Sequence, residues 1–255
     1  MSIPRITLWG VPGIPDVRPG DDLVQLIRTA LGKAGITLQD GDVLVVTQKI
    51  VSKAEGRAVD LAEVEPSAEA RQLAEVTGKD PRLVEVILQG SRQVIRQRGP
   101  VLIMETQHGW ICANAGVDRS NVAGPEGEIA LVLPEDPDGS AERIRQGLRE
   151  LAGVDVAVIV TDTHGRPWRE GTVNVALGVA GMRPIADLRG LPDMFGYTLQ
   201  VTTVARADEL AAASGLITGQ AAEGLPVVVI RGADYPRGEG RAVEMQRPPE
   251  KDLFR

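Results

Sequence analysis

The chain holds a single cysteine, Cys112, and two histidines among 255 residues. One cysteine excludes an internal disulfide and points to a reducing compartment, with the cytoplasm as the default. So few soft ligands leave no expectation of a structural zinc site. Aromatic residues make up 3% of the chain, so it offers few stacking platforms and each tryptophan gains weight as a ligand contact. For Trp9 and Trp110 core packing is expected all the same. No apolar run is long enough to cross a bilayer, and the opening MSIPRITLWG lacks the charged-then-apolar form of a secretion signal. An excess of basic charge is missing too. A net charge of -7 argues against a general nucleic-acid binder, which needs a basic face for phosphate backbones. Neither a P-loop, a dinucleotide fingerprint nor a nucleophile elbow is present. What stays open is a small anionic ligand held by a few local cations. With 35 acidic residues available, any metal is expected to be a hard, oxygen-bound ion such as Mg2+ or Mn2+.

One stretch organises what is there: VDVAVIVTDTHGRPWREGTVNVALGVAGM, Val154 to Met182. Its apolar start, rich in β-branched residues, predicts a buried strand. Thr161, Asp162, Thr163, His164, Gly165 and Arg166 follow abruptly. Ligands collect at the carboxyl ends of strands in open α/β sheets. An ordinary polar turn would use the same residue types. Trp168 and Arg169 just beyond favour a site.

Upstream, Ile6 to Trp9 is a strand candidate, followed by a Pro/Gly-rich loop and a helix capped by Asp21 or Asp22 and closed by Gly35. Asp42 to Thr47 is a second buried strand with the same plan: apolar run, threonine, then polar residues. Lys49, Lys53 and Arg57 recur at four-residue spacing, which predicts one cationic helical face suited to a polyphosphate; a solvated face is the plainer alternative. Glu65 to Gln89 predicts two helices, the second capped by Asp80 with Pro81 at its first position. Three short strands come next in a meander, at Val94–Arg96, Val101–Met104 and Trp110–Ala113. NAGVDRSNV, Asn114 to Val122, then offers Asp118, Ser120 and Asn121 as oxygen ligands. An Asx-type turn explains them alone, but beside Asp162, Asp118 is a candidate second carboxylate of a metal site. Glu128 to Leu133 is predicted as a strand. A helix capped by Asp138 or Ser140, with Ile144, Leu148 and Leu151 as its stripe, then crosses over. The strands it joins are therefore expected to be parallel neighbours. Asp187 to Gln200 is a loop, Val201 to Ile217 a helix, and Val227 to Ile230 the last buried strand.

VVTQKIVSKAEGR, NAGVDRSNV, LPEDPDGSA, VTDTHGRPWREG, ADLRGLPDMFGYTLQVTTVARADELAAA, GQAAEGLPVVVIRG and RPPEKDLFR together resemble the coenzyme F-420:L-glutamate ligase family. The match runs in order from about Gly10 to the last residue. The resemblance implies an enzyme that adds L-glutamate to the deazaflavin precursor F-420-0. GTP would be the co-substrate, and an acyl phosphate would form with release of GDP and phosphate. That chemistry asks for positioned cations and metal rather than a protein nucleophile.

By motif, Asp118, Asp162, Thr163 and Gln220 match the family's metal positions. Gln48, Lys53 and Asn121, the loop Ile14, Pro15, Asp16 and Val17, and the segment Thr218, Gly219, Gln220, Ala221, Ala222, Glu223, Gly224 and Leu225 match its nucleotide contacts. Arg166 and Arg169 are assigned, as a hypothesis of catalytic role, to the second anionic substrate. The resemblance further implies a divalent cation (Mg2+ or Mn2+), with K+ as an additional candidate. It implies a cytoplasmic homodimer with small-molecule substrates and no nucleic-acid or membrane partner. The expected fold is mixed α/β, with mixed parallel and antiparallel sheets, flanking helices and a family-specific intertwined dimer. One ligase domain over 1–255, divisible into two subdomains, is expected, with 231–255 as a surface-wrapping tail. Some relatives carry a further C-terminal flavin-binding domain, which this chain is expected to lack. A ligase of the same mechanism acting on another carboxylate, or a non-catalytic GTP-binding regulatory protein, are the competing readings.

Overall fold

A computed structural model describes residues 3–121 and 128–253. Val122 of the NAGVDRSNV motif and the final Phe254 and Arg255 lie outside them. In chain order the first elements are β1 (Thr7–Gly10), α1 (Leu23–Lys33), β2 (Val43–Thr47), α2 (Gln48–Ala54), β3 (Ala58–Asp60), α3 (Ala68–Thr77) and α4 (Pro81–Gln89). Then come β4 (Ser91–Arg98), β5 (Val101–Thr106), β6 (Ile111–Ala113), β7 (Ile129–Leu131), α5 (Pro137–Ala152), β8 (Ala157–Arg166) and β9 (Arg169–Ala180). β10 (Ile185–Asp187), β11 (Thr203–Ala205), α6 (Arg206–Thr218) and β12 (Val227–Arg231) complete the order. This is the expected mixed α/β class.

The main sheet runs β1-β12-β2-β8-β9. β2 and β8 pair in parallel and every other junction in this sheet is antiparallel. The two parallel strands are apolar on both faces because both faces are covered. Leu44, Val46, Val158 and Val160 point into a core closed by α1, α2 and α5. Val43, Val45, Ala157 and Ile159 point the other way, into a core shared with Ala207, Leu210 and Ala211 of α6. Successive strand residues alternate between these cores as the pleat demands. A third core gathers Leu61, Ala70, Val84, Ile87, Leu102, Met104 and Val117, and binds α3 and α4 to β5.

Local signals set several boundaries as expected. The Asp22 carboxylate accepts the Val24 amide at 2.9 Å at the start of α1, and Asp80 accepts the Arg82 amide at 2.8 Å beside Pro81. The α5–β9 contact depends on Gly178, where any side chain would run into the Pro137 carbonyl.

Other expectations need correcting. β7 is not a neighbour of β8. It pairs antiparallel with β3, Ala58 opposite Leu131, because the parallel place beside β8 belongs to β2. Neither Asp138 nor Ser140 caps α5. Asp136 holds that position without a side-chain bond, while Asp138 accepts the Val179 and Ala242 amides at 2.9 and 3.0 Å. Leu151 is exposed rather than part of the buried stripe. Val201 and Thr202 precede β11, so α6 starts later than its apolar residues suggest. Arg57 does not continue the lysine face, since α2 ends at Ala54 and Gly56 turns the chain at φ +67. Its guanidinium donates instead to the Leu133 carbonyl at 3.1 Å.

Candidate functional site

The parallel register places Val46 opposite Val160 and Thr47 opposite Thr161. Both strands therefore reach the same edge of the sheet at the same level. Beyond that edge the two strands part ways. β2 turns directly into α2, presenting Gln48, Lys49 and Lys53. β8 does not turn at all: Thr161 to Arg166 continue as strand, hydrogen-bonded to β9. The expected polar turn is thus a hairpin, with the chemistry near its base.

A cleft of about 740 Å³ opens at this edge. Its walls are Ile14, Pro15 and Asp16, the start of α2, the turn from Ala113 to Asn121, Thr161 to Thr163 with Asn174, and Thr218 to Pro226. Every residue assigned above to metal or nucleotide lines it except Val17, which is buried in the core beneath the loop. Arg166 and Arg169 do not line it. They stand exposed at the hairpin tip, where Arg166 donates to the Glu170 carbonyl at 3.0 Å.

The two carboxylates sit in different surroundings. Asp118 accepts Lys49 Nζ at 2.6 Å and the Ser120 amide at 2.8 Å. Burial pushes its pKa up, but the hydrogen bonds from Lys49 and Ser120 outweigh that and leave it below the ordinary value. Asp162 has one backbone partner, the Thr163 amide. Burial first, and the neighbouring Asp118 charge second, raise its pKa to about 6 despite that bond and the more distant Lys49. The ionised form of a carboxylate so raised would be stabilised by a nearby cation.

Thr163, Asn174 and Gln220 form a network beside it. Thr163 Oγ1 lies 3.1 Å from Asn174 Oδ1 and 3.0 Å from Gln220 Oε1, and Gln220 Nε2 donates to Asn174 Oδ1 at 3.1 Å. Three oxygens share one hydroxyl proton and one amide hydrogen, an oxygen-rich corner. Among the described residues no group of three or more His, Cys, Asp or Glu is arranged to hold a metal. The donor set here is instead two carboxylates completed by a hydroxyl and an amide oxygen, which suits a hard dication and not a soft one. Cys112 lies behind Asp162, and burial followed by that charge pushes its thiol up to about 12, so it is inert.

The opposite wall carries Lys53 and Gln48. Lys53 Nζ bonds Asp16 at 2.8 Å. Gln48 is buried and its Oε1 accepts Ser52 Oγ at 2.7 Å, while its Nε2 has no partner among the described residues. A buried donor without an acceptor is costly, and a phosphate or sugar oxygen would satisfy it. Asn121 reaches across to the Ala221 carbonyl at 3.4 Å. Gly219 adopts φ +63, ψ -164, a region open to glycine alone, and a Cβ there would strike Glu223.

Ser120, offered above as an oxygen ligand, bonds Asp118 and Lys49. Asn174, the hub of the oxygen network, is the residue that sequence reasoning missed. A lone asparagine inside the apolar run VNVALGVA was the available signal for it.

The model of the family described as F420-0:gamma-glutamyl ligase matches residues 13–232. The chain is similar over its length to proteins named coenzyme F420:L-glutamate ligase. It is 52% identical to that of Methanothermobacter thermautotrophicus, over 98% of this chain and 99% of the relative. Identity to the Methanopyrus kandleri protein is 49%, over 100% and 99%, and to the Archaeoglobus fulgidus protein 41%, over 98% and 97%.

Proposed function

The chain belongs to the F420-0:gamma-glutamyl ligase family, and from that premise we propose that its cleft performs a GTP-dependent ligation of L-glutamate to the deazaflavin precursor. The observation that carries the reading is the shared level of Thr47 and Thr161, which sets a cationic helix start against two acids in one cleft. The product is an amide between a carboxyl group of the precursor and the amine of glutamate. A precursor carboxylate oxygen attacks the γ-phosphorus of GTP, and the bond to the β–γ bridging oxygen breaks to release GDP. The glutamate amine, having lost a proton, then attacks the acyl carbon, and inorganic phosphate leaves.

The chain's own groups supply position and charge. Lys53, released from Asp16, meets the triphosphate. Gln48 Nε2 and Asn121 orient the nucleotide, and the glycine-bearing segment from Thr218 to Leu225 closes over it. Asp118, Asp162, Thr163 and Gln220 would hold Mg2+ or Mn2+. When bound, such an ion spreads the negative charge of the transferring phosphoryl group. Arg166 and Arg169 are kept for the anionic acceptor.

A homodimer fits the surface of the β10–β11 connection. Met194 and Phe195 are 94% and 93% exposed, with Leu191, Tyr197 and Val201 beside them. Apolar groups gathered on one arm call for a partner surface, and an intertwined second copy supplies one. Sedimentation equilibrium reads it: a dimer is expected, converted towards monomer by Phe195→Asp. No helix among the described residues is long and apolar enough to cross a membrane, and we place the enzyme in the cytoplasm.

The decisive assay is mass spectrometry of the deazaflavin after incubation with GTP, L-glutamate and Mn2+, with and without K+. A mass gain of one or more glutamyl residues is expected. ATP in place of GTP, and a panel of other carboxylates in place of the precursor, test nucleotide and acceptor. GTP bound but never consumed would favour a regulatory protein instead.

A further inference from the structure

Lys49 holds three oxygens at the mouth of the candidate metal site. Its Nζ lies 2.6 Å from Asp118 Oδ2, 2.6 Å from Ser120 Oγ and 3.3 Å from the Ser120 carbonyl. An ammonium has three hydrogens, so its bonding capacity is filled. It bonds the carboxylate that a dication would need. One turn along α2, Lys53 is held by Asp16 in the same manner. Both lysines facing the cleft are thus neutralised by acids that also line it. An anion that claims the lysines must displace the acids, and a cation that claims Asp118 must displace Lys49.

From this pairing we infer that Lys49 keeps uncomplexed divalent cation off Asp118, so that the metal enters the cleft together with a triphosphate. A bare dication meets an Asp118 carboxylate already held by an ammonium that repels it. A metal–triphosphate complex meets no such obstacle. Its phosphate oxygens take the ammonium, and the freed carboxylate takes the metal, so the one ion pair that breaks, Lys49–Asp118, is replaced by two. Lys49 is therefore a positioning residue that sets the order of binding. The idea rests on the proposed metal site, which the same experiment tests separately.

The measurement is Mn2+ binding followed by electron paramagnetic resonance of the free ion, with and without GTP, on wild type, Lys49→Met and Lys49→Arg. Methionine keeps the stem and removes the charge; arginine keeps the charge. Wild type should bind Mn2+ weakly alone and tightly with GTP. Lys49→Met should bind Mn2+ alone about tenfold tighter or more, since a neighbouring positive charge is gone. The same variant should bind Mn2+–GTP more weakly than wild type, and opposite shifts of this kind cannot come from a loosened loop. Lys49→Arg should behave as wild type. Unchanged or weaker uptake of Mn2+ alone by Lys49→Met would overturn the inference while leaving the metal site intact. No uptake by wild type even with GTP would overturn both.

Discussion

At the base of the β8–β9 hairpin, Thr161, Asp162, Thr163 and Asn174 stand on strands backed by the core. At its tip, Arg166, Trp168 and Arg169 stand in solvent, Trp168 79% exposed. Both ends carry charged and polar side chains within about ten residues of one another along the chain. Only the base faces a second wall. There burial raises Asp162, and an oxygen network forms beside it. Depth in the sheet, and not density of polar residues, turns a segment into a site. The tip is left for a ligand or subunit that comes to it from outside.

The largest contrast is expected from Asp162→Asn at the base. Turnover of the deazaflavin substrate should fall by at least about a hundredfold, on the scale of losing an electrostatic group aimed at a transferring centre. Product mass spectrometry at saturating GTP reads it, and a loss under about threefold would dissolve the distinction between base and tip. Gly219→Ala acts on the wall facing the hairpin base. The left-handed backbone and the clash with Glu223 should cost about 1–3 kcal/mol of stability, with a matching loss of GTP affinity seen by calorimetry. An unchanged melting temperature would mean the segment relaxes freely.

Asp162→Asn also makes a statement about stability. In the metal-free protein the folded state holds the Asp162 proton up to about pH 6, while the unfolded chain releases it near about 4. Wild type therefore loses stability as pH rises through that window, and the asparagine variant does not. The variant should be more stable by about 2–3 kcal/mol above pH 6, and equal to wild type below about pH 4. Chemical denaturation at both pH values, with chelator, checks the sign. The smallest effect belongs to the tip. Arg169→Ala should leave the melting temperature within a degree or two, the usual result for an exposed side chain. Its effect should be confined to precursor affinity, weakened several-fold. No change in affinity or turnover would remove both tip arginines from the reaction.

Much of this was legible in the residues. The apolar runs at 42–47, 154–160 and 227–230 announced buried strands, and Asp21 or Asp22, and Asp80 with Pro81, announced helix starts, because these signals act over a few residues. The cleft residues were nameable by motif. Their convergence was not, since nothing local relates position 118 to position 162. Lys49 illustrates the limit: its spacing from Lys53 predicted a cationic face, but its partnership with Asp118 spans the chain.

The sequence by itself determined which segments would be apolar strands, where helices begin, and which residues carry the ligase motifs. These depend on side-chain volume, branching and short-range hydrogen bonds. Only the tertiary structure decided that β2, and not β7, lies beside β8, that Arg57 leaves the lysine face, and that the hairpin's acid enters the cleft while its arginines stay outside. Those outcomes arise from which faces cover one another, a competition among distant surfaces that no local pattern encodes.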